Sequence, residues 1–377
     1  MNARAFRSSR HLAAGIAAVA LAGATLAAQA RATAPPKGYA PPRTADGHPD
    51  LQGVYDAATM TPMERPPQFG NRLVLTPDEA KAIESYQAER MKSGSEPSQA
   101  DRTAPAVGGD RSPTQSYLES VFRAGGGVVG GYNFFWISPG TQLATINGEK
   151  RTSIVIDPPD GHVPPITPEA RRRNAAILAT RVSPDAAEGG GNQPMGAYDN
   201  PEARPLAERC LLGFSSTAGP PSLPNYWYNN LKQIVQTPDT VLILNEMVHD
   251  ARVVRMNAQH LPQTIRKWMG DSVGHWEGDT LVVDTTNFTD KTQFRGASEN
   301  LHVVERLTRL DDRTILYRFT IDDPSTWARP WTGEYPWNAT NDQIYEYACH
   351  EGNYALENIL RAARAGGETE APQAPRR

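Results

Sequence analysis

Residues 231–321 read as a succession of strands joined by tight turns, and this alternation constrains the fold more than any other feature of the chain. The stretch opens LKQIVQTPDTVLILNEMVHDARVVRMN, continues GHWEGDTLVVDTTNF and closes NLHVVERLTRLDDRTILYRFTIDD. Thr237-Pro238-Asp239-Thr240, Gly278-Asp279 and Asp311-Asp312-Arg313 supply turn chemistry between apolar runs. His249-Asp250 is either a further turn or a bulge before Ala251–Met256. Strands connected this closely form an antiparallel meander, and a meander that closes makes a barrel able to enclose a pocket.

The flanking segments add helices and shorter strands. Thr76-Pro77-Asp78-Glu79 is a helix start, with Thr as the cap and Pro in the first turn, and predicts a helix to about Lys92. Ser112-Pro113 and Thr167-Pro168-Glu169 repeat the pattern. Asn353 caps a last helix over Tyr354–Ala365, stopped by Gly366-Gly367. Strands are expected within 51–56, 131–138, 151–161 and 343–350. Residues 183–224 are dense in Pro and Gly, and so long a connection is either functional or wraps the barrel.

The first thirty residues form an address signal. Arg4, Arg7 and Arg10 precede an apolar run from Leu12 to Ala27, and Ala28-Gln29-Ala30 fits a small-x-small cleavage site. No arginine pair is present among these thirty residues, so a Sec-type signal peptide cleaved after about Ala30 is expected, delivering the chain to the periplasm or beyond. Residues 31–50 then form an extended lead-in, 51–366 one β-rich domain, and 367–377 a disordered tail. No later run is long enough to span a bilayer. A net charge of −4 gives no electrostatic case for nucleic acid. The sequence leaves the oligomeric state open. In an oxidising compartment the two cysteines, Cys210 and Cys349, are expected to pair, two separate buried thiols being the alternative.

Side-chain parity points to candidate site residues. On 314–321, Ile315, Tyr317, Phe319 and Ile321 share the apolar face. On 301–308 the more apolar set is Leu301, Val303, Glu305 and Leu307, which turns Glu305 inward. On 241–248 one set is Leu242, Leu244, Glu246 and Val248, the other Val241, Ile243, Asn245 and Met247; the first turns Glu246 inward as well. Inward carboxylates are costly unless paired or facing a wet pocket. Glu246 and Glu305 are therefore candidate acid/base groups, assisted by His302 or His249, or else halves of structural ion pairs with an arginine such as Arg295, Arg306 or Arg266. Candidate ligand contacts are Arg295, Tyr226, Tyr228, Asn229 and Trp136. The histidines follow no metal-binding spacing, no serine sits in a G-x-S-x-G elbow, and neither metal nor cofactor is predicted.

Several phrases together carry a resemblance: DGHPDLQGVYD, RTSIVIDPPDG, YWYNN, IVQTPDTVLILNEMVHDAR, GHWEGDTLVVDTTNF, ENLHVVERLTR and YEYACHEGNYALENIL. They are similar to a large, mostly uncharacterised family of exported proteins of Gram-negative bacteria, over nearly the whole chain after the signal. The resemblance implies export and a lipocalin-like barrel, and supplies no activity or site residue.

The expected architecture is thus mainly β, a lipocalin-like barrel or strongly curved sheet with a few peripheral helices. The leading functional reading is binding, with or without conversion, of a small, largely apolar ligand in a barrel pocket. One alternative is a cofactor-independent isomerase, lyase or hydrolase using the inward carboxylates. The other is a structural or interaction protein of the cell envelope, with the aromatic segment 327–337 as its contact surface. A cavity lined by those carboxylates favours the first two readings, and a filled barrel the third.

Overall fold

The computed structural model describes residues 36, 38–95, 138, 140–182, 198, 200–213, 219–225, 228–292 and 294–369. Its centre is a closed barrel of nine strands. β1 (Gly53–Asp56) is followed at a distance by β5 (Leu231–Gln236), β6 (Thr240–Asn245), β7 (Ala251–Met256), β8 (Asp271–Glu277), β9 (Thr280–Thr286), β10 (His302–Arg309), β11 (Thr314–Asp322) and β12 (Trp331–Ala339). Neighbours pair in that order, and β12 returns to β1 through Tyr55 opposite Ala339. Closure removes the exposed edges that an open meander would carry. Every pair is antiparallel except β7 with β8, which run parallel because residues 257–270 form a crossover between them. β4 (Val155–Asp157) adds to part of β12, and β2 (Thr145–Ile146) pairs with β3 (Glu149–Lys150) in a separate ribbon.

Three helices lie among the described residues: α1 (Pro77–Ser95), α2 (Pro168–Val182) and α3 (Tyr354–Thr369). Thr76 and Glu79 form a reciprocal cap at the start of α1, and Thr167 Oγ1 accepts the Ala170 N–H at 3.0 Å at the start of α2. α3 passes through Gly366-Gly367 instead of stopping there. The expected helix from Ser112 and strand over 131–138 lie outside the described residues, save that Ser138 itself is not in a strand.

Two strand expectations need correction. Residues 343–350 form no strand. The strand that closes the barrel is instead β12, WTGEYPWNA, which carries a proline within it. A proline is tolerated in a sheet where its missing N–H faces no acceptor. Glu334 donates its N–H to Ile154 and Thr340 donates to Val54, so residues of that parity point away from β11. Pro336 falls between those two bonds, in the gap where β4 has ended and β1 begins.

Alternating inward residues fill the lumen. Tyr317, Phe319, Trp331, Tyr335 and Trp337 are buried, with the Tyr317 and Trp337 rings stacked at 4.6 Å. Gly333 lets the Phe319 ring lie against β12, because a Cβ there would clash with that ring. Among the described residues, side chains fill the lumen in place of the expected barrel pocket, and the aromatic residues of 327–337 offer no contact surface: Trp327, Trp331, Tyr335 and Trp337 belong to the core.

Candidate functional site

The inward parity read for β10 and β11 holds: Leu301, Val303, Glu305 and Leu307 are buried, as are Ile315, Tyr317, Phe319 and Ile321. On β6 the other set faces in, with Val241, Ile243 and Asn245 buried and Leu242 and Leu244 partly exposed. The strand ends at Asn245, so Glu246 reaches the interior by another route. It begins a single tight turn to Asp250 in which Val248 (φ 58°) and His249 (φ 45°) are left-handed. For a β-branched residue that conformation is strained, on the order of 1–3 kcal/mol per position.

This turn and the adjoining strands place charged groups at one rim of the barrel. Lys232 lies on the inward face of β5, opposite Asn245, and is 1% exposed. Its ammonium enters no salt bridge or hydrogen bond with the described residues. Burial drives its pKa down to about 8, against the opposing pull of Glu246 and Asp250. Glu246 accepts the Leu231 N–H at 3.3 Å and holds the start of β5. Asp250 is partly buried, and Oδ2 has no hydrogen-bond partner. Burial raises this carboxyl to about 7, although the Gly213 N–H and Lys232 act the other way. On β1, burial also raises Asp56.

Deeper in the lumen the charges are paired. Arg252 on β7 holds Glu305 on β10 with both guanidinium nitrogens, one at 2.9 Å from Oε1 and the other against Oε2. Tyr317 donates to Glu305 Oε1 at 2.6 Å, Ser222 N donates to the Tyr317 hydroxyl at 2.8 Å, and Tyr335 donates to Ser222 O at 2.7 Å. Residues 219–225 thereby plug this end of the barrel. Burial opposes the charge of Arg252, but Glu305 more than offsets it and its pKa rises. Burial, then the neighbouring Glu305, pushes the Tyr317 hydroxyl well up. Glu305 is therefore fixed as a polar cross-link between β7, β10 and β11.

A second polar cluster lies on the outer wall. Asp284 accepts from His260 Nε2 and His302 Nε2, each at 2.9 Å, and His260 Nδ1 faces Asp271 at 3.3 Å. Asp271 also receives Arg255, Lys267 and the Leu261 N–H. The hydrogen bond to Asp284 raises His302 above the ordinary imidazole value. Among the described residues no group of His, Cys, Asp and Glu has metal-binding geometry.

The third feature is a cavity of about 540 Å³, open to solvent over much of its extent, beside the disulfide Cys210–Cys349. One wall is Ala207, Glu208 and Asn229, and the other is Glu346–Cys349 with the first turns of α3, including Leu356 and Ile359. Asn353, expected as a helix cap, sends its side-chain amide across to Glu208 O at 3.4 Å.

The predicted site residues are therefore dispersed. Glu246 and Glu305 are both buried, but neither lies beside Arg295 or His302 as expected: Arg295 pairs with Glu64 on an exposed surface, and His302 faces outward from β10. His249 is exposed on the rim turn. Asn229 lines the cavity, Tyr228 adjoins it in sequence, and Tyr226 and Trp136 lie outside the described residues. Lys232 and Arg252 were missed, though each shares parity with apolar neighbours, Ile234 in one case and Val254 and Met256 in the other. Comparison with family models, curated proteins and solved structures gives no match to the chain.

Proposed function

We propose that the protein is exported to the periplasm and binds a small, largely apolar ligand in the cavity beside the disulfide, with the filled barrel as its rigid support. The cavity itself carries this reading. Its volume of about 540 Å³ suits a small molecule, and it joins apolar side chains to a few polar ones. Leu356 and Ile359 would hold the body of the ligand, while Asn229, Asn353 and the carboxylates of Glu346 and Glu351 favour an end that donates hydrogen bonds or carries positive charge. The N-terminal signal pattern and the disulfide support export. Among the described residues no helix is long and apolar enough to cross a membrane.

Native mass spectrometry of protein purified from a bacterial periplasm tests the reading. The wild-type protein should carry a small-molecule adduct, and Leu356→Trp, which fills the cavity, should lose it. An adduct-free wild type, or an adduct that survives in L356W, counts against it.

A further inference from the structure

The barrel rim holds two groups of opposite charge that do not touch, Lys232 buried and Asp250 partly buried. Lys232 is 1% exposed and enters no salt bridge among the described residues, and Asp250 Oδ2 has no partner. A buried charge without direct pairing is a burden that hydration relieves. The segment best placed to admit water is the turn Glu246–Asp250, whose Val248 and His249 are already held in left-handed conformations. We infer that this turn is a charge-gated rim, closed while either Asp250 or Lys232 is neutral and opening when both are charged.

The surroundings fit this assignment. From β5 the group facing Asp250 is Lys232 itself. Within the turn, Glu246 is tied to the Leu231 N–H and His249 points to solvent. From β7, Arg252 is committed to Glu305 of β10. From β1, Asp56 faces Lys232 and is itself near Asp342. Among the described residues the Asp250 carboxyl also accepts the Gly213 N–H, three residues from the disulfide. Of these, Glu246 attracts Lys232 most strongly, but among the described residues none forms a salt bridge with either gate residue.

Linkage fixes the sign. Asp250 is raised to about 7, so the closed rim binds its proton more tightly than an open, hydrated rim does. Its contribution to closure is complete below the ordinary aspartate value and is lost as pH rises through about 7. Lys232 is lowered to about 8, so its contribution is complete above the ordinary lysine value and is lost as pH falls through about 8. Opening is therefore greatest between these two values and declines on both sides. The inference is independent of any ligand.

Hydrogen exchange, corrected for the intrinsic pH dependence of amide exchange, reads the gate at the amides of Asn245, Glu246 and His249, all hydrogen-bonded in the closed rim. The opening equilibrium should rise on the order of tens-fold from pH ~5 to pH ~7.5 and fall at least about tenfold by pH ~9.5. Asp250→Asn should flatten the acid limb alone, and Lys232→Met the alkaline limb alone. His249→Gln should leave both limbs in place. Protection that is flat with pH, or a limb that survives removal of its own residue, overturns the inference. Should a variant fail to fold, the carbon-13 titration of the Lys232 side chain in the unsubstituted protein decides, an ordinary lysine midpoint being fatal.

Discussion

Arg252 and Glu305 meet inside the barrel, with Arg252 Nη2 2.9 Å from Glu305 Oε1, although two strands separate β7 from β10 in the sheet. Both are essentially excluded from water, at 3% and 0% exposure. Such a pair is weak evidence for net stability, yet removing one partner strands the other. Glu305→Gln keeps the shape and should destabilise by about 3–5 kcal/mol in urea unfolding. Joint replacement of Arg252 and Glu305 by apolar residues of similar size should cost much less. A Glu305→Gln midpoint close to wild type would return Glu305 to the list of candidate catalytic groups.

The disulfide closes a loop of 139 residues. Chain-entropy reasoning gives a stabilisation of about 4–5 kcal/mol for so long a loop. Thermal unfolding with and without a dithiol reductant should show a large fall in Tm on reduction. Titration of the denatured, unreduced protein should find no free thiol.

His302 on the outer wall owes its raised pKa to the hydrogen bond from Nε2 to Asp284 Oδ2. A raised folded value means that the stability this bond contributes is complete below the unfolded imidazole value and is lost as pH rises through the folded one. Asp284→Asn should move the His302 midpoint down in an NMR titration and weaken that part of the pH dependence. An unmoved midpoint would show that Asp284 does not control this imidazole.

Gly333 is the position where β12 yields to the Phe319 ring. Gly333→Ala places a methyl group against that ring and against Ile154, and should destabilise by about 1–3 kcal/mol. Phe319→Leu in the Gly333→Ala background should recover part of the loss. Failure of this rescue would locate the strain elsewhere.

The strands of the barrel were legible because a half-buried strand writes a two-residue period into its own sequence, as β10 and β11 do. The disulfide partners were legible because the chain has two cysteines and an N-terminal pattern that reads as an export signal. β12 was not, because its aromatic residues surround Pro336, and whether a proline fits a strand depends on where the neighbouring strands end. Glu246 was read as inward on a strand, but a strained turn carries it there, and local alternation does not encode that turn. Above all, parity says that Glu305 points inward and says nothing about what it meets. Arg252 stands 53 residues earlier in the chain, and Lys232 and Asp250 share a rim only because β5, β6 and β7 pair in one register. Alternation in the chain thus sufficed to tell which residues face inward along β10 and β11. The tertiary structure alone decided which inward charges are paired and which are stranded, because electrostatic partners are set by distance in space and not along the chain.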